Sequence, residues 1–401
     1  MKIKKMFVLI LAVLMLCSLA ACGEKPAVSS DDHSDWVWVR DLPSWGALSD
    51  TGYYYARASI LHYFDFAANT SVVLCSQAGC PHKGEICDAY MVAQDRRQMY
   101  FANDRLYYID LFDLTLYSRN AIGMDLKKTG TIGTKYIKEQ KAVKIGRCAV
   151  AGEYLYYEAD VTAKITDEEG VVTTKLERAC IGRIHLSTGK DEILIEQMYD
   201  KQQGQKLILC AARANGVLLN RWEGMEAMDL QDPAYIETSN KIPVTLEHWN
   251  GETGESTVLF RKTIKECSGI KMVSGGKVYY KSAGGHEAGA GLGYSYDLRT
   301  GKEETACPHR VRWYLGGSYV QCTDPEAEKT FIYDMATGQE LSYELDGTQW
   351  VCSVSDKGYI LQLTTDEEIL YYYVAKDSLA DGLQEADLQF IYALKKGVPY
   401  D

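Results

Sequence analysis

The sequence of 401 residues has little of what divides a chain into domains or marks a nucleic-acid binder. It contains only 8 prolines, and no stretch rich in Pro, Gly or Ser interrupts its interior. The formal net charge is −12, which argues against nucleic-acid binding because that function requires a basic surface. Beyond the N-terminus no apolar run approaches the roughly 20 residues that span a bilayer. We therefore expect one large extramembrane body.

The linear signatures of common enzymes are absent as well. Ser295 lies in GYSYD, which lacks the second glycine of a nucleophile elbow, and His286 has no second histidine at zinc-protease spacing. There is no EF-hand loop, no P-loop and no CxxC pair. The glycine-rich residues 282–293 are predicted to form a surface loop, and residues 166–172 the tip of a long hairpin. No catalytic or cofactor-binding residue can be assigned from these patterns.

The N-terminus is built like a lipoprotein signal. MKIKK is a short basic start, residues 6–16 are apolar, and Leu-Ala-Ala precedes Cys22. Charge, apolar core and small residues before a cleavage site describe a secretory signal peptide. The Leu-Ala-Ala-Cys end resembles the lipobox of bacterial lipoproteins, in which the cysteine receives a diacylglycerol and becomes the new N-terminus. The alternative is an ordinary signal peptide with a chance cysteine.

The domain prediction follows from these segments. Residues 1–21 are the signal peptide, residues 22–35 a polar tether from the lipidated cysteine, and residues 36–401 the folded body. Stable anchoring takes two acyl chains. We therefore expect a protein anchored by lipid to the cell membrane, with its body on the extracytoplasmic face.

A turn followed by an aromatic or aliphatic run recurs along the body. Glycine or a charged residue precedes paired tyrosines or aliphatics, which is typical of a turn followed by a strand. The seven copies are TGYYYARA, NDRLYYID, AGEYLYYEAD, NGVLLNRW, GGKVYYKS, LGGSYVQC and DKGYILQL.

A second phrase follows six of these openings at a distance, and EEILYYYVAKDSL is the candidate for the seventh. The phrase consists of a strand, a turn that often contains Thr-Gly, and another strand, as in YSYDLRTGKEETAC and FIYDMATGQELSYEL. Glycine tolerates the positive φ of tight turns, and Asp or Asn side chains bond to the turn backbone. Each phrase is therefore predicted to be a hairpin of two outer strands.

The two phrases together make four strands, and repeated four-stranded sheets are the blades of a β-propeller. The predicted fold is all-β, a single propeller of four-stranded blades, seven in number with six or eight as alternatives. A β-sandwich would also show many short strands. The 29 tyrosines, against 8 phenylalanines, suit strands with one polar edge. Residues 36–42, WVWVRDL, are predicted to close the ring against the C-terminal segment.

The lipobox, the tyrosine-pair openings, the Asp-x-x-Thr-Gly hairpins and the CxxxxCPHxxxxC segment together resemble a group of β-propeller surface lipoproteins of Gram-positive bacteria. The hairpins also resemble those of TolB-like and YWTD-like propellers, although the YWTD tetrapeptide is absent. The resemblance covers roughly residues 36–401. The lipoprotein group carries no assigned reaction, so the resemblance implies an architecture and an outer-surface location without a chemistry.

One segment concentrates chemically reactive residues. LCSQAGCPHKGEICDAY holds Cys75, Cys80, His82 and Cys87, four ligands of the kind that tetrahedral Zn²⁺ uses. The spacing is not a standard zinc spacing, and export favours a disulfide such as Cys75 or Cys80 with Cys87. Free thiols are the third alternative. A second Cys-Pro-His copy stands at Cys307 and His309, just after an outer hairpin.

Two classes of function remain open. The first is a non-catalytic binding or scaffolding module whose loops meet a cell-surface glycan, peptide or protein. The second is a surface glycan hydrolase or lyase with its site at the central funnel. The absence of motifs favours the first. Buried carboxylates, histidine or arginine with shifted pKa values in the funnel would favour the second.

Overall fold

The computed structural model describes residues 35–39, 46–91, 97–166, 172–198, 206–223, 235–283, 291–324, 326–327, 329–345, 348–355 and 357–396. The predicted signal peptide, Cys22 and almost all of the tether lie outside these residues. So do the hairpin tip at residues 167–171 and most of the glycine-rich loop, residues 284–290. None of the helices in the described part of the chain combines the length and apolar character needed to cross a lipid bilayer.

The described chain is mostly β-strand, with two short α-helices, α1 (Thr134–Lys138) and α2 (Tyr235–Asn240). A two-residue strand, β1 (Val37–Trp38), precedes the first unit. Unit 1 contains β2 (Gly46–Leu48), β3 (Gly52–Arg57), β4 (Ile60–Asp65) and β5 (Thr70–Val73). Unit 2 contains β6 (Arg97–Ala102), β7 (Arg105–Asp110), β8 (Thr115–Asn120) and β9 (Lys127–Thr131).

The next two units follow the same antiparallel order. Unit 3 contains β10 (Ala142–Ala151), β11 (Tyr154–Thr166), β12 (Val172–His185) and β13 (Asp191–Met198). Unit 4 contains β14 (Lys206–Arg213), β15 (Gly216–Trp222), β16 (Pro243–Asn250) and β17 (Ser256–Thr263).

One long strand links the fifth and sixth units. Unit 5 contains β18 (Ile270–Ser274), β19 (Lys277–Lys281), β20 (Leu292–Asp297) and the first part of β21 (Glu303–Gly316). Unit 6 contains the rest of β21, β22 (Tyr319–Asp324), β23 (Lys329–Asp334) and β24 (Gln339–Leu341). Unit 7 contains β25 (Thr348–Val354), β26 (Gly358–Thr364), β27 (Glu368–Ala375) and β28 (Gln389–Lys395).

The first strands of the units form the inner wall of a ring. β2, β6, β10, β14, β18, β21 and β25 contact one another in this cyclic order, and β25 returns to β2. A ring of radial antiparallel sheets is a β-propeller. The fold class predicted from the sequence, an all-β propeller, is therefore confirmed. We infer seven blades by dividing the seven-stranded sheet at β21, and the blade number itself stays a prediction.

A cluster of buried apolar side chains lies between each pair of neighbouring units. Between units 1 and 2, for example, Leu61 packs with Met99 and Tyr108, all 1% exposed or less. Such a side chain contributes roughly 1.5–3 kcal/mol by burial. Because every unit needs a neighbour on both sides to cover its faces, no half of the ring is complete alone.

The ring closes through packing. Phe64 of unit 1 lies in one cluster with Ile360 and Tyr392 of unit 7. Tyr55 stacks on Tyr392 with ring centroids 4.5 Å apart. No strand pairing joins units 1 and 7 within the described residues.

The predicted closing segment has another place. β1 pairs antiparallel with β14, with Val37 opposite Ala212, and its residues line the central cavity. The Trp36 ring lies edge-on to His248, with centroids 5.5 Å apart. The prediction that residues 36–42 close the ring is therefore wrong for the described part, residues 36–39. The inner edge of β14 has backbone N–H and C=O groups that pair with β1. The outer edge of unit 7 offers the same kind of groups, so both edges are possible partners for the N-terminal strand.

The two repeated phrases correspond to defined strands. The seven openings are the second strands of the seven units, and the Thr-Gly phrases are the outer pairs, such as β20 with β21. In that turn Asp297 accepts hydrogen bonds from the backbone N–H groups of Arg299 and Thr300, at 3.0 and 2.7 Å. Gly301 follows with φ +67°. The mechanism expected for these turns is therefore the one that the structure uses.

Candidate functional sites

A crossover between units 1 and 2 carries the cysteine-rich segment. After β5 the chain leaves the sheet, and at Tyr90 it returns to form a β-bridge with Ile60. Backbone bonds give the loop internal turns: Cys80 N–H donates to Gln77 O at 3.3 Å, and Cys87 N–H to Gly84 O at 3.2 Å. The segment is thus held at both ends by the sheet.

These turns bring the four candidate ligands together. The Sγ atoms of Cys75, Cys80 and Cys87 and a ring nitrogen of His82 all lie within 4.8 Å of one another. Cys87 Sγ and His82 Nδ1 are 3.6 Å apart. Ligands of a tetrahedral zinc site, with bonds of about 2.0–2.3 Å, lie roughly 3.5–4 Å apart. The structure therefore contains a Cys/His cluster with the chemistry and spacing of a metal site. None of the three cysteines is in a disulfide.

Hydrogen bonds give the thiols of this cluster unequal acidity. Burial raises the pKa of Cys75, but hydrogen bonds from the Gln77 backbone and the Cys87 thiol outweigh it and lower the pKa to about 7. Burial raises the pKa of Cys87 to about 11. Backbone N–H groups directed at sulfur favour the thiolate, which is the form that binds a metal.

Arg119 of unit 2 fixes the end of the loop. Its guanidinium is buried and donates to the carbonyl oxygens of Asp88, Tyr90 and Gly123 at 2.5, 2.6 and 2.7 Å. Sequence analysis did not identify this role, because Arg119 lies within a strand phrase of another unit. The loop that carries the cluster is therefore held by residues of both units.

The second Cys-Pro-His copy has a different environment. Cys307 and His309 lie inside β21, which continues as a strand into unit 6 where the first copy forms a loop. His309 Nε2 lies 3.3 Å from Glu340 Oε1. Cys307 Sγ lies 3.5 Å from Cys322 Sγ. Within the described ranges the two residues do not gather into a cluster of metal ligands.

A cavity of about 520 Å³ opens on the central channel. Residues of β1, β2, β6, β10, β14 and β25 line it, together with Glu158 of β11. Its charged lining residues are Lys144, Arg147, Lys206 and Glu158. Within the described residues, neither Lys144 nor Lys206 forms an ion pair.

Glu158 is held in this wall by backbone groups. Its Oε2 accepts a hydrogen bond from Leu209 N–H at 2.9 Å. β10 carries a bulge between Ile145 and Cys148, which bends the strand beside the carboxylate. A β-carbon at Gly146 would lie 2.5 Å from Glu158 Oε1, so a larger residue here would displace the Glu158 side chain. Burial raises the pKa of Glu158, although Arg147 lowers it.

A polar network continues from the bulge to the neighbouring unit. Gln98 Nε2 donates to Gly146 O at 2.8 Å, and Tyr100 donates its hydroxyl hydrogen to Gln98 Oε1 at 2.5 Å. The sequence did not identify these residues, since one carboxylate among 55 acidic residues carries no local mark. The bulged strand β10 contacts β6 on one side and β14 on the other, and so brings these residues together.

Comparisons with known proteins show likeness in fold only. No protein-family model matches the chain. No curated protein matches it. Among solved structures, the nidogen/laminin complex covers 73% of this chain and 92% of its own, at 11% identity and TM-score 0.35. TolB from Acinetobacter baumannii covers 88% and 78%, at 12% identity and TM-score 0.36. A putative dipeptidyl aminopeptidase IV from Bacteroides ovatus covers 90% and 62%, at 12% identity and TM-score 0.43. The propeller description therefore rests on the sheets and contacts of this chain.

Proposed function

We propose that this protein is a membrane-anchored extracytoplasmic lipoprotein whose propeller is a non-catalytic binding module. Its ligand is a cell-surface glycan, peptide or protein, bound at the central channel. The observation that carries the proposal is the 520 Å³ cavity, since ligand sites are concave and have a few convergent polar groups. The acidic net charge of −12 agrees with a partner other than nucleic acid.

Filling the cavity tests the binding proposal. Ser353 lines the cavity and is partly exposed, so Ser353→Trp places an indole in the channel. The same change at Ser187, an exposed residue of an outer turn, is the control. The mature chain is applied to arrays of bacterial cell-surface oligosaccharides and peptides. We expect Ser353→Trp to weaken the strongest interaction at least tenfold and Ser187→Trp to leave it unchanged. Equal binding by both variants would exclude the channel as the site.

The anchor is tested at Cys22. Lipid attachment at this thiol would place the protein in the membrane fraction. Cys22→Ala should release the protein or leave its signal uncleaved. Membrane retention by a variant that is still cut at the same place would contradict lipidation.

We also propose that the Cys/His cluster binds one Zn²⁺ ion as a structural site. Cys75, Cys80, His82 and Cys87 supply four protein ligands, which leaves no open position for catalysis. The ion would brace the crossover between units 1 and 2.

Metal analysis of the purified protein tests the zinc site. We expect one zinc per chain, and loss of the metal in His82→Ala. His309→Ala in the second Cys-Pro-His copy is the matched control and should keep the metal. A mass lower by two hydrogen atoms, located to two of the three cysteines and with no bound metal, would show the disulfide alternative.

A surface glycan hydrolase or lyase is the second candidate, and Glu158 is the observation that favours it. A half-buried carboxylate with a raised pKa, beside a cavity and a nearby Arg147, is suited to proton transfer. If the channel is catalytic, the mature protein cleaves some member of the glycan array, and Glu158→Gln abolishes cleavage with little loss of binding. Glycans that bind to the wild type and remain intact support the non-catalytic module.

A further inference from the structure

Two cysteines that no metal site uses lie against each other. Cys307 Sγ in β21 and Cys322 Sγ in β22 are 3.5 Å apart, and both residues are 0% exposed. They belong to the apolar cluster between units 5 and 6, with Met272 and Phe331 among its members. The sequence marked Cys307 only as part of a Cys-Pro-His copy, and the fold supplies its partner.

The pair lies where β21 passes from one unit to the next. Cys307 is opposite Gly293 of β20, while from Arg310 onward the strand pairs with β22. Cys322 stands opposite Val311 in that second pairing. A covalent link here would fasten the end of unit 5 to the second strand of unit 6.

The geometry is close to that of a disulfide. Bonded sulfur atoms are about 2.05 Å apart, so the two thiols have roughly 1.5 Å to close. In the folded protein the hydrogen bond from Cys322 lowers the pKa of Cys307.

We propose that Cys307 and Cys322 form a disulfide in the mature protein, a statement that rests on the extracytoplasmic location proposed above. The Cys307 thiolate attacks a disulfide-bearing oxidant, RSSR, which gives a mixed disulfide and one RS⁻. The Cys322 thiolate then attacks the Cys307 sulfur and expels the second RS⁻. The two protons of the protein thiols end on the two RSH products, and the two electrons reduce the oxidant. Because both sulfurs are buried, the exchange takes place before the interface between units 5 and 6 closes.

The bond should stabilise the fold by a measurable amount. It encloses a loop of 15 positions, for which the chain-entropy model gives roughly a 100-fold shift in the unfolding equilibrium. For a body of this size that corresponds to about 4 °C in Tm.

Thiol mapping of the natively exported protein is the first test. The protein is purified, unfolded without reductant, alkylated and digested. We expect the Cys307 and Cys322 peptides as one cross-linked species without alkylation. Cys307→Ala should leave Cys322 alkylated, whereas Cys267→Ala, a buried cysteine in another interface, should leave the cross-link intact.

The second test separates the pairing from the location. Protein made without its signal is refolded with oxidised glutathione, and its Tm is measured with and without reductant. We expect reductant to lower Tm by about 4 °C in the wild type and in Cys267→Ala, and to have no effect in Cys307→Ala. Free thiols at both positions after this refolding would overturn the pairing. A cross-link in this arm together with free thiols in the natively produced protein would contradict the exported location and leave the pairing standing.

Discussion

Ring closure by packing predicts a large effect of one small change. Ile360 of unit 7 is 0% exposed and lies in the cluster with Phe64 and Tyr55 of unit 1. Ile360→Ala removes three carbon atoms. At about 0.8 kcal/mol for each, the transfer loss is roughly 2.4 kcal/mol. The cavity left in a rigid interface raises the expected total to about 3–4 kcal/mol.

Urea unfolding, followed by tryptophan fluorescence and by circular dichroism, measures this loss. We expect the two signals to coincide in one transition, because opening the junction of units 1 and 7 uncovers a face of each. Ile122→Ala is the matched control, since Ile122 is 67% exposed and the same change there should cost under about 0.5 kcal/mol.

Two results would refute this reasoning. A loss below about 1 kcal/mol in Ile360→Ala would mean that the cluster is not what closes the ring. Two separate transitions would mean that the terminal units unfold independently of the rest. In either case closure would have to depend on other contacts.

Three further predictions concern a turn, a lysine and the cysteine-rich loop. Gly189 and Gly254 each come directly after a threonine, and both glycines have a positive φ. A β-carbon at Gly189 would overlap Thr129 O, whereas a β-carbon at Gly254 would have no other atom within 4 Å. Gly254→Ala should therefore cost about 1–2 kcal/mol in urea unfolding, Gly189→Ala clearly more, and equal costs would contradict the close approach. Burial and two nearby cations lower the pKa of Lys281 to about 8 from 10.5, so the folded protein binds fewer protons between these values and stability rises with pH there. Lys281→Met should remove that rise, roughly 1–3 kcal/mol, and an unchanged pH profile would disprove the shift. Arg119→Met should weaken zinc binding about 10–100-fold in chelator competition, because the hydrogen bonds that hold the Asp88 and Tyr90 carbonyls of the loop are lost. Unchanged zinc affinity would show that Arg119 does not position the loop for the metal.

Local chemistry in the sequence was sufficient for the strands and their turns. The strand at each tyrosine-pair opening follows from β-propensity. The hairpin at each Thr-Gly phrase follows from side-chain bonding by Asp or Asn and from glycine at positive φ. One turn shows both features of the hairpins: the Asp297 side chain bonds to the turn backbone, and Gly301 has a positive φ. The clustering of Cys75 with Cys87 was also foreseeable, since both lie in one short loop.

The sequence was not sufficient for the closing of the ring. The composition of residues 36–39 is typical of a strand, but composition does not determine which sheet edge that strand pairs with. The inner edge of β14 and the outer edge of unit 7 both offer backbone groups, and packing of Trp36 beside His248 accompanies the choice of the inner edge.

By itself, then, the sequence determined the elements, their four-strand repetition and one loop that gathers three cysteines and a histidine, because each depends on residues close together in the chain. Only the tertiary structure decided that Cys307 meets Cys322, that Arg119 holds a loop of another unit, and that Glu158 faces the channel. These contacts join residues from different strands or units. They depend on ring curvature and on bulges in the inner strands, which arise from the packing of all units at once and leave no mark at any single position.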